Sequence, residues 1–243
     1  MHYKETSSLI QMKPKDKCGF YAETNLNAFP VEPLAAFTNL IFPAVIIYWT
    51  VKTKFRIRLY PLIVIIMPLM TAAFFFGTMF HILRNDVIWH HLNMLSILYA
   101  VIAGNIYLWR RVVKSWWKTF FLTLLTPFLF QIFIFLIQPV DKISVSTVFT
   151  VMFLSILIPS ALHCMKNRYH NFHLLVVSSI FFGSGIILRT ADKYFLDTGL
   201  PGTHFLWHIA GGISVFFFLK YIYESDKEYT VKKFAEKASS FGK

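Results

Sequence analysis

The chain has 243 residues, of which 56% are hydrophobic and only 15% are charged, and its mean hydropathy is +0.55. Soluble domains carry about 25% charged residues, so this composition excludes a soluble globular protein and indicates a membrane protein. The formal net charge is +12, but Lys and Arg stand in short clusters between long apolar runs. That pattern is typical of orientation in a membrane and contact with anionic lipid, and no nucleic-acid partner is expected.

The apolar runs are long enough to predict membrane-spanning helices. A spanning helix needs about 20 mostly apolar residues, and seven stretches qualify. They are Pro33–Val51, Leu59–Ile82, Ile88–Trp109, Thr119–Gln138, Ser144–Cys164, Phe172–Leu188 and His204–Tyr223. The third is interrupted by the polar side chains of His90, His91, Asn93 and Asn105, which should face protein or water rather than lipid. The loops between the stretches are short, so neighbouring helices should pack antiparallel.

The distribution of positive charge predicts the orientation. Four Lys or Arg follow the first span and four follow the third, and more stand in the C-terminal tail. Two follow the fifth span and two the sixth, whereas the second and the fourth are followed by one each. The positive-inside rule then places the N-terminus outside and the C-terminus in the cytoplasm. The expected fold is an all-α membrane protein with an extracytoplasmic segment 1–32, a seven-transmembrane helix bundle 33–223 and a cytoplasmic tail 224–243. Met1 to Phe29 has no apolar core, so no signal peptide is expected. Cys18 and Cys164 fall on opposite sides, so no disulfide is expected.

Three histidines are predicted to meet at the outer end of the bundle. His204 and His208 are four residues apart at the start of the last span, so they share one helix face and can bind one metal ion. Hydrogen bonding to neighbouring helices is the alternative for such a pair. His81 ends the second span, which reaches the same outer level. Three protein ligands with one open position are typical of catalytic zinc.

Other polar residues also lie at the outer end. His90 or His91 is a candidate for a further metal ligand, for a hydrogen-bond partner of a ligand or for a proton carrier. The alternative is a histidine at the membrane interface in contact with lipid headgroups. Arg189 and Asp192, three residues apart, are predicted to form an internal charge pair that holds the sixth and seventh helices beside the metal.

The N-terminal segment offers oxygen donors of a kind that suits calcium. They are Glu23, Asn25 and Glu32, which precede the first span. Ordinary loop polarity is the alternative, because calcium takes about 6–8 oxygen ligands and these three fall short.

Six short stretches resemble the motifs of a known family. They are Arg189-Thr-Ala-Asp192 with Gly202-Thr-His-Phe-Leu-Trp-His208; Tyr21-Ala-Glu23-Thr; Val31-Glu32-Pro33-Leu with Phe37-Thr-Asn39-Leu; and Gly77-Thr-Met-Phe-His81. They resemble the motifs of the bacterial branch of the alkaline ceramidases. That family belongs to a wider superfamily of seven-helix hydrolases that also contains the adiponectin and progestin receptors. The resemblance covers both ends of the chain and the second span, whereas the middle spans match in character only.

The resemblance implies the site and the reaction. It implies zinc on His81, His204 and His208, and hydrolysis of the ceramide amide by a zinc-bound water to a sphingoid base and a fatty acid. It also implies a calcium site formed by the backbone carbonyl of Tyr21 with Glu23, Asn25 and Glu32. The family's aspartate before this calcium cluster falls on Phe20, which leaves the implied site one ligand short.

The chain departs from the family pattern at three places. The family serine four residues before its first zinc histidine is Gly77 here, and the adjacent Thr78 or a backbone group is expected to stabilise the oxyanion in its place. The family aspartate at the start of the third span is His90, which is expected to carry the proton. A cysteine pair found in many relatives reads Ala22 and Leu196, which fits loss of a disulfide.

Three hypotheses of function follow from these patterns. The first is a zinc-dependent lipid amidohydrolase of the ceramidase type, whose partner is a membrane lipid substrate and which needs no obligate protein partner. The second is a non-catalytic or receptor-like lipid-binding protein with a structural zinc. The third, a transporter or channel, is disfavoured because the charged residues cluster at the outer end and not at the midplane. The protein is expected in a bacterial inner membrane or a eukaryotic endomembrane or plasma membrane.

Overall fold

The structure is a computed structural model that describes residue 16 and residues 18–137 and 144–241, with the backbone alone at 137 and 232–241. The described chain is helical, and no strand occurs in these ranges. The helices are α1 (Pro33–Thr38), α2 (Ile41–Thr53), α3 (Pro61–Leu83), α4 (Ile88–Val113), α5 (Trp116–Ile137), α6 (Val145–Lys166), α7 (Phe172–Ala191) and α8 (His204–Phe241). A 3-10 turn, Asp192–Phe195, follows α7.

Seven helical stretches are long and apolar enough to cross a membrane, as the sequence predicts. They are Pro33–Thr53, Pro61–Leu83, Ile88–Val113, Trp116–Leu136, Val145–Lys166, Phe172–Phe195 and His204–Val231. The first consists of α1 and α2, which are separated at Asn39 and Leu40. The predicted fourth span ended at Gln138, which lies outside the described residues. The boundary predicted after residue 223 is not a break, because α8 continues through it.

Local signals explain where several helices begin and end. Pro33 and Pro61 stand in the first turns of α1 and α3, where a missing N–H costs nothing. Three helices end on a basic residue in the left-handed conformation: Lys54 after α2, Arg84 after α3 and Lys114 after α4. A left-handed residue closes a helix through its own N–H, and a positive side chain there is favourable beside the free carbonyls.

The apolar core fills one half of the bundle and leaves the other half for the polar site. Its buried members come from α2, α3, α4, α6, α7 and α8 and include Trp49, Ile63, Leu108, Leu174 and Leu219. Consecutive helices contact one another, and α8 closes the bundle by packing against α1, α2 and α3. Large apolar side chains on the outer faces remain exposed, above all on α5, where lipid would cover them in a membrane. The contacts of α8 with α1 and α3 bring together the helix ends that carry the histidines.

Candidate metal centre

The three histidines predicted as metal ligands meet at one point of the bundle. His81 lies in the last turn of α3, and His204 and His208 lie in the first two turns of α8. One nitrogen from each lies within 4.8 Å of the others, and the rings are 6%, 1% and 6% exposed. Three neutral nitrogen donors at this spacing are close enough to bind a metal ion. The sequence prediction that these three residues converge is therefore confirmed.

Hydrogen bonds at the far side of two rings orient them for metal binding. Nδ1 of His81 donates to Glu32 Oε2 at 2.6 Å, and Nδ1 of His208 donates to the carbonyl of Ala35 at 3.0 Å. Each bond fixes a tautomer that leaves the lone pair of Nε2 free for a metal, which is the usual arrangement of metal-binding histidines.

His204 supplies a further test of whether the site fits a metal. Both of its ring nitrogens are buried and have no hydrogen-bond partner among the described residues. A buried polar atom left unpaired costs about 1–3 kcal/mol, so such groups normally have a partner. A metal ion bound by one of these nitrogens would satisfy it, and the donor set therefore fits a metal.

The N-terminal segment covers the histidines. The ring of Tyr21 stacks on His204 with centroids 3.5 Å apart and planes 13° apart. The hydroxyl of Tyr21 accepts a hydrogen bond from Arg189 Nη2 at 3.0 Å, and the guanidinium of Arg189 lies over the rings of Tyr21, Phe149 and Trp207. Arg189 thus holds the tyrosine against the metal-binding face of α8.

Asp192 organises the start of α8. Its Oδ1 accepts from the backbone N–H groups of Thr203 at 2.7 Å and His204 at 2.8 Å, and its Oδ2 accepts from Ala22 N at 2.9 Å. The first N–H groups of a helix lack partners inside the helix, and a carboxylate is favoured beside them. Gly202 has φ +71°, and a Cβ there would lie 2.3 Å from Asp192 Oδ1, so only glycine allows this approach.

The structure gives the two residues of the predicted charge pair different partners. Arg189 contacts Tyr21 and aromatic rings, whereas Asp192 accepts three backbone N–H groups. No ion pair between them occurs among the described contacts. Both residues nevertheless fix elements that touch His204, one through Tyr21 and the other through the start of α8.

Glu32 links His81 of α3 to a buried arginine. Its side chain is 0% exposed, its Oε2 accepts from His81, and its Oε1 accepts from Arg84 and from Thr24 Oγ1. Burial raises the pKa of Glu32 to about 7, against the lowering effect of Arg84 and Thr24. Burial alone would lower the pKa of Arg84, but its hydrogen bond to Asp16 and the charges of Glu32 and Asp16 raise it. Arg84 therefore stays positively charged.

The residues of the predicted calcium site each have a partner within the protein. The carboxylate of Glu23 accepts two N–H groups in the first turn of α1 at 2.7 and 2.9 Å, and burial raises its pKa to about 7. Asn25 is exposed, and its Oδ1 accepts from Asn27 N. The carbonyl of Tyr21 accepts from Thr24 N, and Glu32 faces His81 and Arg84. The calcium site stays a prediction. One of its carboxylates, that of Glu32, already accepts a hydrogen bond from Arg84.

The two residues predicted to assist the reaction, Thr78 and His90, each contact a neighbouring side chain. Thr78 Oγ1 accepts a long hydrogen bond, 3.4 Å, from Asn39 Nδ2. His90 is half-buried at the start of α4, and its ring packs beside Phe80 with centroids 5.2 Å apart. The contacts of His90 are thus with the residue next to His81.

Asn93 fills the space that a side chain at Gly77 would occupy. A Cβ at Gly77 would lie 2.7 Å from Asn93 Nδ2, and that amide donates to the carbonyl of Ala73 at 2.7 Å. Sequence reasoning marked Asn93 only as a polar interruption of the third span. The glycine at position 77 was the available signal in the sequence, because a helix position without a side chain leaves room for a side chain of a neighbouring helix.

An apolar cavity of about 240 Å³ lies within the bundle, and its lining includes Trp207, the chain neighbour of His208, but none of the three histidines. Asn39, Asn93 and Trp207 line it next to the site, and Ile66 and Leu219 line it about three to four helical turns further in. Nearly all of its other lining side chains are apolar or aromatic. Pockets of this kind, apolar with a few converging polar groups, are typical of sites for small apolar ligands.

No protein-family model, characterised protein or solved structure matches the chain. The resemblance to the alkaline ceramidases therefore rests on the motifs alone.

Proposed function

We propose that the protein is a zinc-dependent membrane hydrolase that cleaves the amide of ceramide or a related lipid. The observation that carries the proposal is the cluster of three buried histidines, in a bundle that also holds an apolar cavity lined by Trp207, the chain neighbour of His208. Imidazole nitrogens suit zinc, and three protein ligands with an open position are typical of catalytic zinc sites. Zinc bound in this way supplies a water whose pKa is lowered to about 7 and polarises a carbonyl oxygen.

The chain's own residues would hold the ligands in a fixed geometry. Glu32 orients His81, the carbonyl of Ala35 orients His208, and the stacked Tyr21 restrains His204. Loss of such outer partners lowers metal affinity or activity by about 10–100-fold in metalloenzymes. Ligands that are held in a fixed geometry support a catalytic metal, because such a metal needs one coordination position left open for water or substrate.

The cavity suggests where an acyl chain would lie. A chain that entered it would bring its amide to the end lined by Trp207 and by the carboxamides of Asn39 and Asn93. In this proposal the hydroxyl of Thr78 or a backbone N–H stabilises the oxyanion, and His90 carries the proton to the leaving amine.

The test combines metal content with lipid turnover. Purified protein is expected to contain about one zinc per chain and to release sphingoid base from ceramide, as measured by mass spectrometry. His208→Ala should lose both the zinc and the activity, because two nitrogens do not complete the ligand set. His173→Ala is the matched control, since His173 is an exposed histidine outside the site. Full hydrolysis by His208→Ala, or by metal-free protein, would refute the proposal.

A second candidate function is supported by the environment of Gly77. Asn93 fills the place of the family serine, so the site lacks that hydroxyl while it keeps the three histidines. A receptor-like protein that binds a lipid and uses zinc as a structural clamp fits this arrangement. It would contain one zinc per chain, bind ceramide without cleaving it, and lose thermal stability on chelation.

A further inference from the structure

Arg84 is buried within a set of oxygen atoms that belongs to the N-terminal segment. The residue follows the last turn of α3 and is 2% exposed. Its Nε donates to Asp16 Oδ2 at 2.6 Å, its Nη1 to Glu32 Oε1, and its Nη2 to Asp16 Oδ1 at 3.3 Å. Nη2 also donates to the carbonyls of Cys18 at 3.3 Å and Gly19 at 2.9 Å. One side chain thus neutralises two carboxylates and satisfies two backbone carbonyls.

This set of partners has the composition of a shell for a hard cation. Carboxylates together with backbone carbonyls are the ligands that calcium takes in proteins. Here the guanidinium supplies the positive charge, and its planar donors satisfy the carboxylates through directed hydrogen bonds. The two backbone bonds from Val31 N to Ile82 O and from Glu32 N to His81 O, at 3.1 and 3.0 Å, fix the same segment to the end of α3.

Two contacts connect this arginine to the metal-binding histidines. Glu32 accepts from Arg84 through one oxygen and from His81 through the other. The guanidinium also lies over the ring of Tyr21 at 5.7 Å, and that ring stacks on His204. The position of Arg84 therefore bears on two of the three metal ligands, although it touches neither.

We infer that Arg84 is the built-in cation of the N-terminal segment and a positioning residue for the metal centre, so that the segment holds His81 and His204 in place without calcium. The inference rests on metal binding by the three histidines, which is part of the proposed function, and it is independent of whether a lipid is cleaved. Arg84 takes up Glu32, which the family resemblance implies as a calcium ligand, whereas Glu23 and Asn25 accept backbone N–H groups instead.

The first test uses the wild-type protein. Zinc affinity, measured by competition with a chromogenic chelator, and the melting temperature in detergent are determined with added calcium and with a calcium-selective chelator. Neither should change, because the oxygen shell is already occupied by Arg84. A loss of zinc affinity or of melting temperature when calcium is removed would overturn the inference.

The second test removes the charge. Arg84→Ala leaves Asp16 and Glu32 buried without their cation, and zinc affinity should fall by about 10–100-fold. Added calcium should restore part of the affinity and raise the melting temperature of this variant only, an effect that loss of packing would not produce. Lys193→Ala, which removes an exposed positive charge at the same end of the bundle, is the control. Wild-type zinc affinity in Arg84→Ala would contradict the inference.

Two milder variants keep the test decisive if Arg84→Ala does not fold. Arg84→Lys retains the charge but loses the planar set of donors, and its zinc affinity should lie between those of wild type and alanine. Asp16→Asn weakens the hold on Arg84 without touching any histidine and should lower zinc affinity several-fold. Unchanged zinc affinity in both would refute the positioning role. Because the readout is zinc binding, absence of ceramide hydrolysis would sink the proposed activity and leave this inference standing.

Discussion

Gly77 and Asn93 share one space between α3 and α4, next to the three histidines. The glycine has no side chain, and the carboxamide of Asn93 reaches into the vacated volume and donates to Ala73 O. Asn93 in α4 therefore limits the size of the side chain that α3 can carry at position 77. The two positions should be coupled energetically, since contacting residues commonly show interaction energies of about 0.5–3 kcal/mol.

The coupling leads to a prediction for Gly77→Ser. The new Cβ would lie 2.7 Å from Asn93 Nδ2, and moving that amide breaks its hydrogen bond, so we expect destabilisation by about 1–3 kcal/mol. In an Asn93→Ala background the same substitution should cost clearly less. The melting temperatures of the two single variants and the double variant in detergent measure the coupling.

Gly183→Ser is the matched control for this cycle, because a Cβ at Gly183 in α7 meets nothing within 4 Å. It should be nearly neutral with and without Asn93→Ala. Additive effects of Gly77→Ser and Asn93→Ala would show that Asn93 moves away freely and does not fill the site.

At the scale of elements, the start of α8 depends on a loop that comes very close to it. Asp192 accepts the N–H groups of Thr203 and His204. The backbone at residue 202 lies so close to this carboxylate that there is no room for a Cβ, so the position requires glycine. The left-handed backbone of Gly202 and the short distance to Asp192 are separate requirements. A second glycine of the same loop, Gly199, has nearly the same φ, +73°, but open space around it.

This contrast predicts different outcomes for two alanine substitutions. Gly199→Ala should cost only the strain of a left-handed alanine, about 1–2 kcal/mol. Gly202→Ala adds a Cβ at 2.3 Å from Asp192 Oδ1, so it should cost more and displace the backbone of His204. Zinc content and melting temperature are measured for both variants. We expect Gly202→Ala to lose zinc and Gly199→Ala to keep it, and equal zinc loss in both would contradict the role of Asp192.

The sequence predicted the elements of this molecule better than their contacts. Span positions follow from local hydropathy, and the convergence of His81 with His204 and His208 follows from the direction of alternate spans. The contact of Arg84 with Asp16 and Glu32 joins residues 68 and 52 positions apart, and no local pattern encodes it. The sequence allowed a short amphipathic helix in the tail, but it did not predict that α8 continues past residue 223 without a break, because a hydropathy criterion detects apolar helices only.

At the scale of the whole molecule, positive side chains gather at the end opposite the histidines. Arg110, Arg111, Lys114 and Lys166 line one cavity there, between the ends of α4 and α6 and the middle of α8. Lys52, at the end of α2, lies over the ring of Tyr223 in α8. Each Lys or Arg near an anionic leaflet contributes about 1 kcal/mol, so this end is expected to face the cytoplasm.

The orientation predicts the labelling of introduced cysteines. Asn27→Cys adds an exposed thiol to the N-terminal segment, and Lys227→Cys adds one at an exposed position of α8 near the cluster of positive side chains. A bulky thiol reagent that does not cross membranes should label Asn27→Cys in intact cells and label Lys227→Cys only after permeabilisation. Both variants also carry Cys18→Ser. The protein with Cys18→Ser alone is the control and should stay unlabelled, because its remaining Cys164 is 1% exposed. The reverse pattern would place the histidines at the cytoplasmic face and contradict the predicted orientation.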